Sequence, residues 1–253
     1  MTSDPTKRFT ERVDNYVKYR PGYPDEVIDF LQRECGLSEE SAIADIGSGT
    51  GIFTKLLLDK GYVVYAVEPN QAMQQAAKQW LGGNENYTAI DATAEATTLP
   101  PKSIDLIVCA QAFHWFNNER TLAEFKRILK DSGHAALIWN NRLANTDYFS
   151  MAYEALLKNG SVDYNKVNHR NITDIDFKAF FKNGQYKQVN YQNAQVFDLD
   201  GLMGRAFSSS YVPPQNSEEG KKFRELLQDI FAKYNVSGKV SFQYQTEIYI
   251  GQV

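Results

Sequence analysis

Cysteine is scarce: Cys35 and Cys109 are the 2 cysteines in 253 residues. They form no Cys-x-x-Cys pair, which excludes a disulfide framework and a zinc ribbon and points to a reducing compartment. Histidine is equally sparse. His114, His134 and His169 stand too far apart to share ligand spacing for zinc, so no metal is expected. Long hydrophobic runs are missing, and the N-terminus, Met1 to Arg8, leads into nothing like a signal peptide. A cytoplasmic location without membrane contact is the expectation. An excess of basic charge is missing too: the formal net charge is -4, which argues against a surface built to neutralise phosphates, so no nucleic-acid partner is expected. Internal repeats, low-complexity tracts and long polar linkers do not occur, which favours one domain over residues 1–253.

The 43% of hydrophobic residues is enough for a substantial core. From Phe9 to Arg20 the apolar residues recur at helical spacing until Pro21-Gly22-Tyr23-Pro24 breaks the pattern, and a second amphipathic helix follows with Val27, Ile28, Phe30 and Leu31. Strand-like runs then alternate with helical ones. Strands are expected at Ala42–Ile46, Tyr62–Val67, Tyr87–Ile90, Ile104–Ala110 and His134–Trp139, with helices around Ile52–Leu57, Met73–Trp80 and Leu122–Leu129. Such alternation implies a parallel sheet. Ile104–Ala110 has no polar alternation, which predicts burial on both faces beside the first strand. After Asn140 the pattern turns to aromatic-rich helices near Tyr148–Leu157, Ile175–Phe181, Leu199–Phe207 and Phe223–Tyr234, with strands at Tyr186–Tyr191 and Phe242–Ile250. The fold class expected is α/β, a Rossmann-like, mostly parallel seven-stranded sheet with an antiparallel last strand and a helical cap.

Between the first strand and its helix lies Asp45-Ile46-Gly47-Ser48-Gly49-Thr50-Gly51. Glycines there let the backbone approach a ligand, and the helix N-terminus favours an anionic group. A dinucleotide fingerprint wants its third glycine where Ile52 stands, which argues against NAD. At the end of the next strand is Glu68, followed by Pro69; one carboxylate there can accept hydrogen bonds from both hydroxyls of a ribose.

Asp45-x-Gly47-x-Gly49-x-Gly51, Glu68, Thr93-Ala94-Glu95 and the Ile104–Ala110 strand together resemble the successive motifs of class I S-adenosylmethionine-dependent methyltransferases, over about residues 42 to 140. Gln111-Ala112-Phe113-His114-Trp115-Phe116 and Ile138-Trp139-Asn140-Asn141-Arg142 are similar to the small-molecule type that includes trans-aconitate methyltransferase. The resemblance implies S-adenosylmethionine as cofactor, leaving as S-adenosylhomocysteine. It implies that Gly47, Ser48 and Gly49 line the amino acid part, Glu68 holds the ribose, Thr93, Ala94 and Glu95 border the adenine, and Gln111 lies near the sulfonium. Asp45, Gly51 and Pro69 complete the expected cofactor set, and Tyr16 and Arg20 are expected to close over it, with Arg20 pairing the cofactor carboxylate. In this division residues 1–36 are N-terminal helices closing over the cofactor and 37–142 the cofactor-binding core. Residues 143–241 form a helical cap with one strand, and 242–253 the last strand.

The acceptor side is expected to draw on Phe113, His114, Trp115, Trp139, Arg142, Ser208 and Tyr211. An acceptor hydroxyl or amine would need a base, for which His114 is the candidate; the competing reading places His114 in the pocket wall beside Trp115. An acceptor carboxylate would need no base and would favour an arginine such as Arg142, Arg170 or Arg205. The Asn/Asp-Pro-Pro-Tyr-type motif that grips a flipped base is missing after Ala110, which counts against nucleic-acid methylation. A non-catalytic cofactor-binding module is the alternative of another class. The partner expected is a small-molecule methyl acceptor, with the chain a monomer or homodimer.

Overall fold

In the computed structural model, which describes residues 18–162, 164 and 172–253, a central sheet of seven strands runs in the order β3-β2-β1-β4-β5-β7-β6. The strands are β1 (Ala42–Ile46), β2 (Val63–Val67), β3 (Tyr87–Ile90), β4 (Ile104–Ala110), β5 (Leu129–Arg142), β6 (Lys187–Phe197) and β7 (Val240–Gly251). The first five pair in parallel, with β4 beside β1. β7 runs antiparallel to both β5 and β6, so an antiparallel pair closes one edge. The Tyr16 position and most of the helical pattern from Phe9 lie outside the described residues, as does Arg170.

Helices cover both faces. α1 (Asp25–Cys35), α2 (Ile52–Asp59) and α3 (Gln71–Leu81) pack Val27, Leu31, Phe53, Leu57 and Ala77 against Ile43, Val64, Leu106 and Val108. On the other face, α4 (Glu119–Ile128) and α6 (Asp174–Phe180) bury Phe125, Ile128, Phe177 and Phe180 over Ala44, Ile107, Cys109 and Leu137. Period-two alternation on a strand sends neighbouring residues to opposite faces, and both faces of β1 and β4 are therefore apolar. A third core joins α5 (Tyr148–Gly160), α7 (Leu199–Phe207) and α8 (Glu218–Tyr234) to the ends of β6 and β7 through Phe149, Tyr153, Leu202, Phe223 and Phe242. This is the cap. α6 does not join it: Phe177 and Phe180 are aromatic anchors on the sheet, with Phe180 4.7 Å from the Phe113 ring, and the cap is correspondingly smaller than the interval 143–241.

The chain reverses its winding direction between β1 and β4, and the loops leaving their carboxyl ends diverge there into a crevice, the place where open α/β sheets receive ligands. The loop after β3 is pinned toward this crevice by Glu124 of α4. Its Oε1 accepts from the Thr97 N–H at 2.8 Å and the Thr97 hydroxyl at 2.5 Å, while Arg127 donates to both carboxylate oxygens. The Arg127 hydrogen bonds, joined by those of Thr97, hold the Glu124 carboxyl down to about 2. A lowered carboxyl favours the fold at all pH above its ordinary value of 4.5, and this contribution is lost as pH falls from there through about 2. Because Arg127 is 41% exposed and partly screened, Glu124→Gln is expected to cost about 1–2 kcal/mol at pH 7. Urea unfolding should show the difference from wild type narrowing as pH approaches 2.

Candidate active site

A cavity of about 400 Å³ occupies the crevice. Its floor is the turn from β1 into α2. Gly47 N–H and Ser48 N–H both donate to the Val67 carbonyl, at 2.9 and 3.1 Å, and Gly51 N–H donates to the Ser48 carbonyl at 2.9 Å, which closes the loop tightly over the end of β2. Gly47 (φ 71°) and Gly49 (φ 57°) adopt left-handed backbone that a side chain would strain. A Cβ on Gly47 would come within 2.6 Å of the Ala112 Cβ, while one on Gly49 would find only the Met73 sulfur, at 3.7 Å, because Gly49 borders the open cavity.

Glu68, the residue after β2, is buried and joins two turns. Its Oε2 accepts from Gly49 N–H at 2.9 Å and its Oε1 from Asn70 N–H at 2.8 Å. Asn70 in turn caps α3 by accepting from Met73 N–H at 3.0 Å. Burial raises the Glu68 carboxyl, and the two backbone hydrogen bonds oppose that rise. Each oxygen keeps acceptor capacity toward the cavity, which the side chain lines.

Asp45 is fully buried at the end of β1. One oxygen accepts from the Thr54 hydroxyl at 2.6 Å; the other, Oδ1, has no partner among the described residues, and the side chain lines the cavity. Desolvation pushes this carboxyl up to about 7, opposed by Thr54 and reinforced by the Glu68 charge.

The remaining walls come from several elements. Pro69, Thr93, Ala94 and Glu95 line one side. Burial would raise the Glu95 carboxyl, but hydrogen bonds, led by that from Asn118 at 3.0 Å, bring it below its ordinary value. Gln111, just past β4, sits at φ 61°, a sparsely populated conformation for a residue with a side chain, and its N–H is held by the Ile138 carbonyl at 2.8 Å. A strap, Arg20 to Tyr23, crosses above. Asn140 and Asn193 both donate to the Gly22 carbonyl, Gln195 donates to the Tyr19 carbonyl, and Arg20 donates to the Ser208 carbonyl. The Tyr19 ring lies so close on Gly204 that a Cβ there would fall 2.0 Å from it.

Of the residues expected from sequence, Arg20, Asp45, Gly47, Ser48, Gly49, Glu68, Pro69, Thr93, Ala94, Glu95, Gln111, His114, Trp115, Arg142 and Tyr211 line this one cavity. Four expected residues among those described do not. Gly51 is a packing glycine: at φ 82° its missing Cβ makes room for the Leu81 side chain of α3, 2.5 Å from where it would lie. Phe113 points into the core beneath α6, with no exposed surface. Trp139 faces the opposite side of β5 from Asn140 and Arg142, and lines a separate groove with Phe177 and Tyr249. Ser208 turns back along α7, its hydroxyl donating to the Arg205 carbonyl at 2.7 Å. Lining residues that sequence did not single out for a site include Asn140, Tyr164 and Tyr244, and Arg205 was expected only as one of three alternative arginines. Alternation along β5 was the signal that would have found Asn140 from Arg142.

Residues 44–137 match the methyltransferase domain family. An uncharacterised methyltransferase of Mycobacterium bovis is 34% identical over 235 residues, which is 93% of this chain and 91% of that protein. Two methyltransferase relatives from Schizosaccharomyces pombe are 34% identical over 137 residues, 54% of this chain, and there the match spans about half of each relative's length, 53% and 52%. A protein described as a type II methyltransferase from Anaeromyxobacter dehalogenans has the same fold, with a TM-score of 0.68 at 20% identity, covering 92% of this chain and 98% of that one. The chain belongs to the class I S-adenosylmethionine-dependent methyltransferases.

The cavity suits the cofactor of that family. A sulfonium and an ammonium are cations, and Asp45 Oδ1 offers a buried acceptor still without a partner among the described residues, beside a second carboxylate at Glu68. The raised Asp45 carboxyl favours the ligand-free fold below its ordinary 3.8, and that contribution is lost as pH rises through about 7. Asp45→Asn is therefore expected to gain stability relative to wild type between pH 5 and pH 8 when ligand-free proteins are unfolded in urea. A stability difference that stays constant over that range would contradict the assignment.

Proposed function

We propose that this chain transfers a methyl group from S-adenosylmethionine to a small-molecule acceptor. The observation that carries the reading is continuity: a single cavity runs from the glycine turn and Glu68 to an end walled by Trp115, Tyr211, Tyr244 and Arg142. Donor and acceptor would thus share one space. In this reading Glu68 accepts from the ribose hydroxyls, Asp45, Gly47, Ser48 and Gly49 surround the amino acid part, and Arg20 faces its carboxylate. Thr93, Ala94 and Glu95 border the adenine, and Gln111 borders the reacting centre. The similarity of Gln111–Phe116 and Ile138–Arg142 to trans-aconitate-type enzymes supports an acceptor of metabolite size.

Bound S-adenosylmethionine supplies a methyl group whose bond to sulfur breaks, the electron pair returning to sulfur, as a lone pair of the acceptor forms the new bond in line. The protein's part is to align the partners and keep water out, and alignment alone provides a large share of such acceleration. The strap and cap cover the crevice, and the aromatic walls give the acceptor end an apolar lining. Among the described residues that line this end, His114 carries the base chemistry expected from sequence. The Trp139 indole N–H donates to its Nδ1 at 3.5 Å, which orients the ring in the cavity wall. This favours a positioning role for His114 over that of a general base.

Calorimetry with S-adenosylhomocysteine tests the reading. Wild type is expected to bind one equivalent, and Glu68→Gln about ten-fold more weakly because one charged acceptor is replaced. Gly49→Val should abolish binding, since its side chain projects into ligand space. Unchanged affinity in Gly49→Val, with the fold verified by circular dichroism, would overturn the site.

A further inference from the structure

Two arginines line the acceptor end of the cavity, Arg205 buried and Arg142 nearly so, and they differ in their partners. Arg142 has an acidic partner: Nη2 pairs with Glu154 at 2.5 Å, the Tyr164 hydroxyl donates to the same oxygen at 2.9 Å, and the exposed Lys158 shares the carboxylate at 3.5 Å. Arg205 of α7 is 7% exposed and has no such partner among the described residues. Its Nε donates to the Tyr244 hydroxyl at 3.3 Å and its Nη1 to the Ser209 hydroxyl at 3.1 Å. Nη2 makes no hydrogen bond among the described residues, yet it is not sealed within the protein, and the side chain lines the cavity. The side chains that act on it most strongly are the phenols of Tyr244, Tyr211 and Tyr153.

A guanidinium does not lose its proton inside a protein, and an isolated buried charge is strongly unfavourable unless something neutralises it. Removal of a bound partner from such a charge is costly for the same reason, so a ligand that supplies the missing charge gains affinity from the site. The geometry of Arg205 also defines what that ligand carries. Two of its three nitrogens are engaged by hydroxyls that hold the fork in place, since Tyr244 itself donates to Gln195 at 3.0 Å. One nitrogen is left to reach the cavity, and one positive charge to be matched.

Resting on the small-molecule reading above, we propose that the acceptor is a monocarboxylate, recognised through its carboxylate by Arg205, with the rest of the molecule lying against the aromatic wall of Trp115 and Tyr211. A dianion such as phosphate or a polycarboxylate brings more negative charge than the single guanidinium of Arg205 matches, while Arg142 is paired with Glu154. An uncharged acceptor leaves Arg205 unmatched. Arg205 is therefore a specificity-determining residue for the acceptor, and Ser209 and Tyr244 are its positioning residues.

The test uses the full-length protein saturated with S-adenosylhomocysteine, titrated calorimetrically with phenylacetate, with its uncharged counterpart phenylacetamide, and with inorganic phosphate. Wild type is expected to bind phenylacetate and to discriminate against both others by about ten-fold or more. Arg205→Met should lose phenylacetate affinity by about 10- to 100-fold while S-adenosylhomocysteine affinity is retained, and Arg205→Lys should fall between the two. Equal binding of phenylacetate and phenylacetamide, tighter binding of phosphate, no phenylacetate binding by the wild-type complex, or equal phenylacetate binding in Arg205→Met would each overturn the proposal. Loss of S-adenosylhomocysteine affinity in both Arg205 variants would also overturn it, because Arg205 would then serve the cofactor. Failure of wild type to bind S-adenosylhomocysteine at all is a different result, and removes the donor-site reading instead.

Discussion

The carboxylate of Glu68 is shared between two backbone N–H groups, one in the turn after β1 and one at the start of α3. Through them a single side chain fixes the separation of two strand ends and two helix starts. Gly49 cannot shift without breaking one bond, and Asn70 cannot shift without breaking the other and loosening its cap on α3. Because the oxygens are buried, loss of either bond would leave a charged acceptor short of partners, which costs more than the bond itself contributes. The floor of the cavity is thus set before any ligand arrives.

Charge distribution along the cavity follows from the same arrangement. Asp45 and Glu68 lie at the ends of adjacent parallel strands, near enough for Glu68 to raise the Asp45 carboxyl further. Two buried acids beside one another are unfavourable in isolation and favourable toward a cation. At the far end the sign reverses, with Arg205 inside the cap. A cationic donor and an anionic acceptor would each complete one end, and the strap from Arg20 to Tyr23 spans them. That strap is tied to β5, β6 and α7 by hydrogen bonds to its backbone carbonyls and from Arg20. Sheet and cap are consequently coupled through it.

Much of this was legible in the sequence. The glycine turn and the acid at the next strand end, seventeen positions beyond Gly51, sit where a parallel sheet must place them, and the two lie in hydrogen-bond contact. Ile104–Ala110 occupies the centre of the sheet because a strand apolar on both faces has no other place. The acceptor side was less legible, for local reasons. Trp139 and Arg142 were expected on one wall, yet an odd and an even position on a strand face opposite ways. Phe113 precedes His114 and Trp115 in a single turn of 3₁₀ helix, and only the last two face the cavity. Ser208 satisfies its hydroxyl within its own helix, as serines near helix ends do, while Ser210 and Tyr211 just beyond reach the site. Arg205 was indistinguishable from other arginines until the structure showed Glu154 paired with Arg142 and not with it. Pairing between distant segments leaves no local pattern in a sequence.

In the proposed function Glu68 both organises the turn and reads a ribose, and a double-mutant cycle by calorimetry tests the two roles together. S-adenosylhomocysteine and its 2′-deoxy analogue would be titrated into wild type and Glu68→Gln. Coupling is expected: removal of the hydroxyl weakens binding to wild type markedly and to the variant much less. Equal weakening in both proteins would mean that Glu68 never touches the ribose, and would contradict that role.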